Sequence, residues 1–179
     1  SYGGFNRIEF HQDGSFDVSP LILSKDNHNS LQSSLMLFFT GFSRYGPLIA
    51  QKQIDNFEKK EIELRTLGQI SDEAALILQK RKDPVDELGG LIHQAWNLKR
   101  ELADGITTPA VDGIYQAGRD AGALGGKLLG AGGGGFMVFV VKSEDQVRVR
   151  ERLKDLIYVP IKFDTGGSKI VVFEPVETP

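Results

Sequence analysis

Seven of the chain's 21 glycines lie between Gly125 and Gly135, and the run GAGGGG (Gly130 to Gly135) leads directly into FMVFVV (Phe136 to Val141). Four consecutive residues without a Cβ interrupt regular structure, while the apolar, β-branched and aromatic run after them is strongly strand-forming. The expected order is therefore helix, glycine loop, strand. Such glycines meet one of two needs. They let a helix and a strand cross closely, or they let backbone amides approach a ligand and form a nest for an anion. The residues alone leave both open. GAGGGG formally satisfies the dinucleotide pattern G-x-G-x-x-G, but that pattern needs a strand before it and a helix N-terminus after it to receive the phosphate. A Walker-type loop is excluded because Lys127 is followed by Leu128 instead of Ser or Thr.

The rest of the chain alternates strands with blocks of helix. FNRIEF (Phe5 to Phe10), the turn HQDGS and FDVSP read as a hairpin, and SLMLFFTG (Ser34 to Gly41) as a buried strand. From Arg44 to about Lys82 apolar residues recur at three- and four-residue steps, which predicts two helices. Pro84 in a first helical turn opens another, with Val85, Leu88, Ile92, Ala95, Trp96, Lys99 and Leu102 on one face and Gly105 closing it. A helix from Thr108-Pro109 toward Gly122, one from Glu144 to about Leu156, and two closing strands, YVPIKF and SKIVVF joined by DTGG, complete the pattern. The fold class that follows is α+β, with helices packed on one face of a mostly antiparallel sheet. The balance of 21 Lys and Arg against 24 Asp and Glu, net charge -3, offers no basic run to track a nucleic-acid backbone. With no Cys there is no disulfide scaffold, thiolate metal site or cysteine nucleophile. No apolar run reaches the roughly 18 residues of a membrane helix, so a cytoplasmic protein without a membrane partner is expected. The chain opens on Ser1 and runs straight into strand-like sequence, the expectation being a fragment.

Thr40, Gly41 and Arg44 follow a strand and open a helix, where backbone amides and a guanidinium are able to hold an anion. A capped helix with a surface arginine satisfies the same residues. Lys127 is a second cationic candidate, against the ordinary solvated lysine. Trp96 is expected as a core anchor. His11, His28 and His93 are too dispersed for a metal cluster, and Asp83, Asp86 and Glu87 suit the positive end of a helix.

GGKLLGAGGGGFMVFVV (Gly125 to Val141) resembles the third signature motif of the GHMP kinases, the family of galactokinase, homoserine kinase, mevalonate kinase and phosphomevalonate kinase. GGFNRIEF (Gly3 to Phe10), SSLMLFFTGFSRYGPLIAQKQ (Ser33 to Gln53) and HQAWNLKREL (His93 to Leu102) resemble, within it, the bacterial D-glycero-D-manno-heptose 7-phosphate kinases. The resemblance implies a GHMP kinase C-terminal domain of ferredoxin-like type over residues 21–179, with residues 1–20 a hairpin continuing from an N-terminal domain. It implies transfer of the γ-phosphoryl group of ATP, with magnesium, to a sugar phosphate for nucleotide-activated heptose and cell-surface polysaccharide. A fucose or galactose acceptor, or a stand-alone ligand-binding module, is the alternative. Gly130, Ala131, Gly132, Gly133 and Gly134 would be the phosphate-side loop, and Thr40, Gly41 and Arg44 a sugar-phosphate contact. Lys127, a candidate from its residue type alone and not from the resemblance, would face phosphate. The loop that cradles ATP phosphates and the carboxylate near the acceptor belong to the N-terminal half in this family, so no catalytic residue and no metal ligand is expected in this chain, which alone should be inactive.

Overall fold

The computed structural model describes residues 2–42 and 46–172, and Arg44, with its neighbours Ser43 and Tyr45, lies outside them. Two units are present, one comprising Leu23–Ile161 and the other Ser1–Ile22 with Lys162–Pro179.

In the smaller unit β1 (Asn6–Phe10) pairs with β2 (Phe16–Pro20), from Asn6 opposite Pro20 to Phe10 opposite Phe16. The turn between them forms as the sequence predicts. Gly14 takes φ +85°, and the Asp13 carboxylate accepts from the Ser15 amide at 2.9 Å and its hydroxyl at 2.6 Å. Beside the hairpin, the Gly4 amide donates to the Asp164 carbonyl at 2.7 Å, and the Phe5 and Phe163 rings meet edge to face at 4.5 Å. The expected strand SKIVVF does not form over its described residues, 168–172, where Ile170, Val171 and Val172 are exposed. A strand needs a partner for its backbone groups, and no strand lies beside these residues among those described.

The larger unit runs α1 (Lys25–Ser34), β3 (Leu35–Phe39), α2 (Gly46–Asp55), a 3-10 turn (Phe57–Lys60), α3 (Glu61–Lys80), α4 (Val85–Arg100), α5 (Pro109–Asp120), β4 (Gly125–Leu128), β5 (Phe136–Val140), α6 (Gln146–Arg152) and β6 (Ile157–Val159). Its sheet has the order β4-β5-β3-β6 with every pair antiparallel. With helices in the crossovers after β3 and β5, this is the β-α-β-β-α-β arrangement of ferredoxin-like folds. Cross-strand register puts Met36, Phe38, Leu128, Met137, Phe139 and Tyr158 on one face. α5 and α6 cover that face. Tyr115 of α5 stacks on Phe139 with centroids 6.1 Å apart, Val149 of α6 and Leu153 just after it join the same core, and Arg150 lies 4.6 Å over the Tyr158 ring. Trp96 of α4 is fully buried 6.1 Å from Tyr115, as an anchor should be. Burying each such side chain contributes about 1.5–3 kcal/mol.

Two elements depart from the sequence pattern. α1 carries a single buried apolar residue, Leu31, so it has no periodicity to detect. Ser24 caps it by accepting from the Asn27 amide at 3.1 Å, and the buried Asn27 side chain donates to the carbonyls of Leu78 and Arg81 at 2.9 and 2.7 Å, tying α1 to the end of α3. The second departure is β4. A strand, not a helix, enters the glycine loop, which therefore joins two antiparallel strands. Gly125 and Gly126 are poor strand formers chosen by packing: a Cβ on Gly125 would stand 2.0 Å from the Gly89 carbonyl oxygen of α4, and one on Gly126 2.6 Å from the Phe139 ring. Smaller differences are that Pro84 is the N-cap of α4 and that this helix stops at Arg100, short of Gly105.

The α5 packing generates a paired test. A Cβ on Gly118 would lie 2.5 Å from Phe139, whereas one on Gly113 of the same helix meets nothing within 4 Å. Gly118→Ala should lower stability by about 1–3 kcal/mol through overpacking, and Gly113→Ala should raise it by about 0.5–1 kcal/mol through helix propensity. Urea unfolding of both variants checks the opposite signs.

Candidate functional site

The Leu129 amide donates to the Phe136 carbonyl at 2.8 Å and closes the β4–β5 hairpin, leaving Gly130 to Gly135 as a backbone ribbon at that end of the sheet. The ribbon is tied on several sides. Two of its amides are used internally, Gly133 donating to the Ile106 carbonyl and Gly135 to the Phe42 carbonyl, each at 2.8 Å. Its carbonyls are held as well: Gly130 accepts from Lys99 Nζ at 2.6 Å, Ala131 from Gln53 Nε2 at 3.0 Å, and Gly135 from both the amide and the hydroxyl of Thr40, at 2.8 and 2.9 Å. The amides of Gly130, Ala131, Gly132 and Gly134 have no backbone acceptor among the described residues.

The glycines make these ties possible. A Cβ on Gly132 would stand 2.6 Å from Ile106 Cα, and one on Gly134 2.6 Å from the Phe42 carbonyl oxygen. Gly133 sits at φ +78°, a left-handed backbone that a branched residue adopts only under strain. The segment carrying Ile106 is itself fixed by polar side chains. Arg100 donates to Asn97 Oδ1 at 2.7 Å and Asp112 Oδ1 at 3.0 Å, and Thr107 donates to the same Asp112 oxygen at 2.8 Å. Next to this segment, Leu48, Ile49, Gln51, Lys52, Asp104, Gly105 and Thr108 line a cavity of about 490 Å³ between it and α2.

Of the residues singled out in the sequence, Gly130 to Gly134 and Thr40 come together here. Thr40 is buried and both its donors point at Gly135, so its place is as a loop anchor at the end of β3. Gly41 follows at φ +78° with open space where a Cβ would stand. Lys127 is partly buried on β4, three residues before the ribbon, and burial lowers its pKa. Lys99, Gln53 and Ile106 were not legible as site residues. A lysine in the last turn of a helix is explained by the helix dipole alone, and a backbone carbonyl has no sequence signature. Lys99 Nζ is pushed down to about pKa 8, first by burial and then by the positive charge of Lys127. Among the described residues, no group of three or more His, Asp or Glu side chains is placed to hold a metal ion.

The Lys99 shift has a signed consequence. Its folded pKa lies below its unfolded value, so between about pH 8 and 10.5 the unfolded chain binds more protons and stability rises with pH. The difference in melting temperature between the unaltered chain and Lys99→Met should therefore shift in favour of the unaltered chain across that interval. Parallel melting curves for the two proteins would refute the burial of a charged Lys99.

Comparison with known proteins places this geometry. Residues 74–158, from the end of α3 to β6, match the family described as GHMP kinases C terminal. D-glycero-alpha-D-manno-heptose 7-phosphate kinase of Campylobacter jejuni is 29% identical over 154 residues, 79% of this chain and 42% of that protein. The bifunctional fucokinase/GDP-fucose pyrophosphorylase of Arabidopsis thaliana is 27% identical over 143 residues, 77% of this chain and 13% of that protein. The crystal structure of L. major mevalonate kinase in complex with R-mevalonate shares the fold at TM-score 0.68 and 23% identity, over 86% of this chain and 45% of that one. The chain spans less than half the length of each. Its glycine ribbon, the strands on either side and the helices packed on them fall within the matched residues, so it is this part of the chain, residues 74–158, that matches the C-terminal domain of the GHMP kinases.

Proposed function

We propose that this chain is the C-terminal part of a cytoplasmic, ATP-dependent sugar-phosphate kinase acting on D-glycero-D-manno-heptose 7-phosphate or a close relative, in the service of nucleotide-activated heptose. The observation that carries the reading is the ribbon Gly130 to Gly135, held by backbone ties to Ile106 and Phe42, in which the amides of Gly130, Ala131, Gly132 and Gly134 have no backbone acceptor among the described residues. Phosphoryl transfer is chiefly positioning and charge stabilisation, and a rigid edge of amides beside cationic side chains suits both. ATP and magnesium would be bound mainly by an N-terminal domain, the metal neutralising charge on the phosphates. On this reading the hairpin β1–β2 extends that domain. This chain's residues brace and orient: the ribbon positions the phosphate-binding loop, Thr40 couples it to Gly41, and Arg44, on this reading, holds the sugar phosphate. No helix among the described residues is long and apolar enough to cross a membrane, which is compatible with such an enzyme. The identity to a fucokinase supports a second reading, a fucose-type acceptor on the same domain.

A kinase assay on a longer protein that contains this chain tests the proposal. ADP release that depends on heptose 7-phosphate supports the first acceptor, fucose-dependent release supports the second, and no sugar-dependent release overturns both. The 179-residue chain alone should release no ADP.

Two variants of that longer protein probe the residues. Gly133→Val meets backbone strain of about 1–3 kcal/mol at φ +78° and places an isopropyl group beside the Ile106 tie. Activity should fall about a hundredfold, since a displacement near 1 Å has that effect on positioning, while the melting temperature falls only moderately. Turnover that declines only in proportion to folded protein would reduce the ribbon to packing. Arg44→Met should raise KM for the sugar phosphate tenfold to a hundredfold, roughly the worth of a charge-assisted hydrogen bond, with KM for ATP little changed. A rise confined to ATP would place Arg44 elsewhere.

A further inference from the structure

Five hydrogen bonds link α5 to α4 and return to the segment that carries Ile106. Tyr115 Oη lies 2.5 Å from His93 Nδ1, and His93 Nε2 lies 3.2 Å from Asn97 Nδ2. Asn97 Oδ1 accepts from Arg100, which also donates to Asp112, and Thr107 donates to the same Asp112 oxygen. Arg100 is held besides against the rings of Trp96 and Tyr115, 6.0 and 5.9 Å from their centroids. The residue before Thr107 is Ile106, whose carbonyl takes the Gly133 amide of the ribbon.

This chain of bonds fixes the proton on His93. A guanidinium only donates, so the Asn97 atom facing Arg100 is the carbonyl oxygen and the group facing His93 is the NH2. Nε2 therefore accepts, the ring is neutral, and its proton stands on Nδ1, donated to Tyr115 Oη. A proton added to Nε2 would point at the Asn97 NH2, donor against donor, and turning the amide only moves the conflict to Arg100. Asp112 cannot receive an imidazolium, being taken by Arg100 and Thr107. Burial, then the positive charges of Arg119 on α5 and Arg100 on its own helix, hold the ring's pKa below the ordinary imidazole value. β4 packs on α4 at Gly125, beside the His93 main chain, and its one charged residue, Lys127, acts on Lys99 rather than on His93. The other elements packed on α4, which are α1, α3 and β5, bring no charged group to the ring.

We propose that neutral His93 is a positioning residue for the glycine ribbon: through Asn97, Arg100 and Asp112 it sets the segment whose Ile106 carbonyl holds Gly133, and protonation of His93 unlocks that segment. The inference rests on the kinase reading for its effect on turnover; the coupling of His93 to Gly133 stands on the hydrogen bonds. An imidazolium repels Arg100 and takes away the acceptor that Asn97 offers it. The guanidinium is drawn off, and the Asp112 carboxylate that it steadied no longer fixes Thr107. A shift of about 1 Å in the ribbon is then enough to slow phosphoryl transfer while the core stays folded.

NMR on the 179-residue chain reads the coupling directly. Ring nitrogen shifts should show His93 as the Nδ1–H tautomer at about pH 8, titrating below the ordinary imidazole range. In the same step the exchange protection of the Gly133 amide should fall about tenfold or more, while the Leu129 amide that closes the hairpin keeps its own. In a longer protein with kinase activity, kcat should fall about tenfold per pH unit below that titration, with KM for ATP little changed. His93→Gln keeps an acceptor for Asn97 and a donor for Tyr115 but cannot titrate, so it should hold turnover within about twofold at about pH 8 and lose the acid limb. Asn97→Asp offers an acceptor to the imidazolium and to Arg100 together. It should raise the His93 pKa and yet leave Gly133 indifferent to pH, a pairing that a merely structural histidine does not give. Should either variant fail to fold, the titration of the unaltered chain decides. An Nε2–H tautomer, a Gly133 amide that ignores the His93 titration, or an acid limb that survives in His93→Gln overturns the inference. Kinase activity alongside any of those results leaves the proposed function standing. Coupled titration in a protein without kinase activity removes the proposed function and keeps the coupling.

Discussion

Backbone meets backbone closely only where no Cβ stands between, and the larger unit depends on that condition along the whole of β4 and the turn that follows it. Gly125 lets α4 settle against the strand at Gly89, Gly126 makes room for Phe139, and Gly132 and Gly134 bring the turn onto Ile106 and Phe42. The helix and the turn are thus indexed to the sheet by main-chain atoms, whose positions vary less than those of side chains. Side chains then fill what remains: Trp96, Tyr115 and Phe139 form a contiguous aromatic core beneath the strands.

This arrangement explains which parts of the fold were legible in the sequence. Elements with a periodic apolar face were readable, as α4 was from Val85, Leu88 and Trp96, and so were those with a chemical punctuation mark, such as Thr108-Pro109 at the start of α5, where Thr108 caps the Val111 amide. α1 escaped because its reason for being helical is Asn27 reaching the carbonyls of Leu78 and Arg81, a contact 51 and 54 residues away in the chain. β4 escaped because its glycines answer to α4 and Phe139, and local propensity counts them against a strand. SKIVVF misled in the opposite sense: its propensity is high, but propensity cannot supply a neighbouring strand.

The site divides in the same way. The ribbon stood out because four glycines in succession lose the most chain entropy on folding and survive only where a backbone or a ligand must come close, and its likeness to a kinase motif gave it a place in a family. Its supports were silent. Ile106 and Phe42 contribute carbonyl oxygens that every residue has, and Gln53 and Lys99 are ordinary polar residues on helices whose use appears only when the helices are packed. Thr40 was singled out for a ligand, and its buried hydroxyl donates to the Gly135 carbonyl. A residue that holds a functional loop and one that touches a substrate share the same sequence pattern when both sit at the end of a strand.

The tie between Thr40 and Gly135 spans 95 residues, and that between Gln53 and Ala131 spans 78. Loop-closure entropy of that size is recovered only after β3 has found β5, so these contacts belong to the slow, non-local stage of folding. While the chain is being synthesised, β3 emerges long before its central partner and leaves the ribosome with both edges open. The four helices between them, α2 to α5, can form in the interval from local contacts, shortening the distance the ends must search. Their length and packing thereby govern how long an apolar strand with unpaired edges is exposed to other chains.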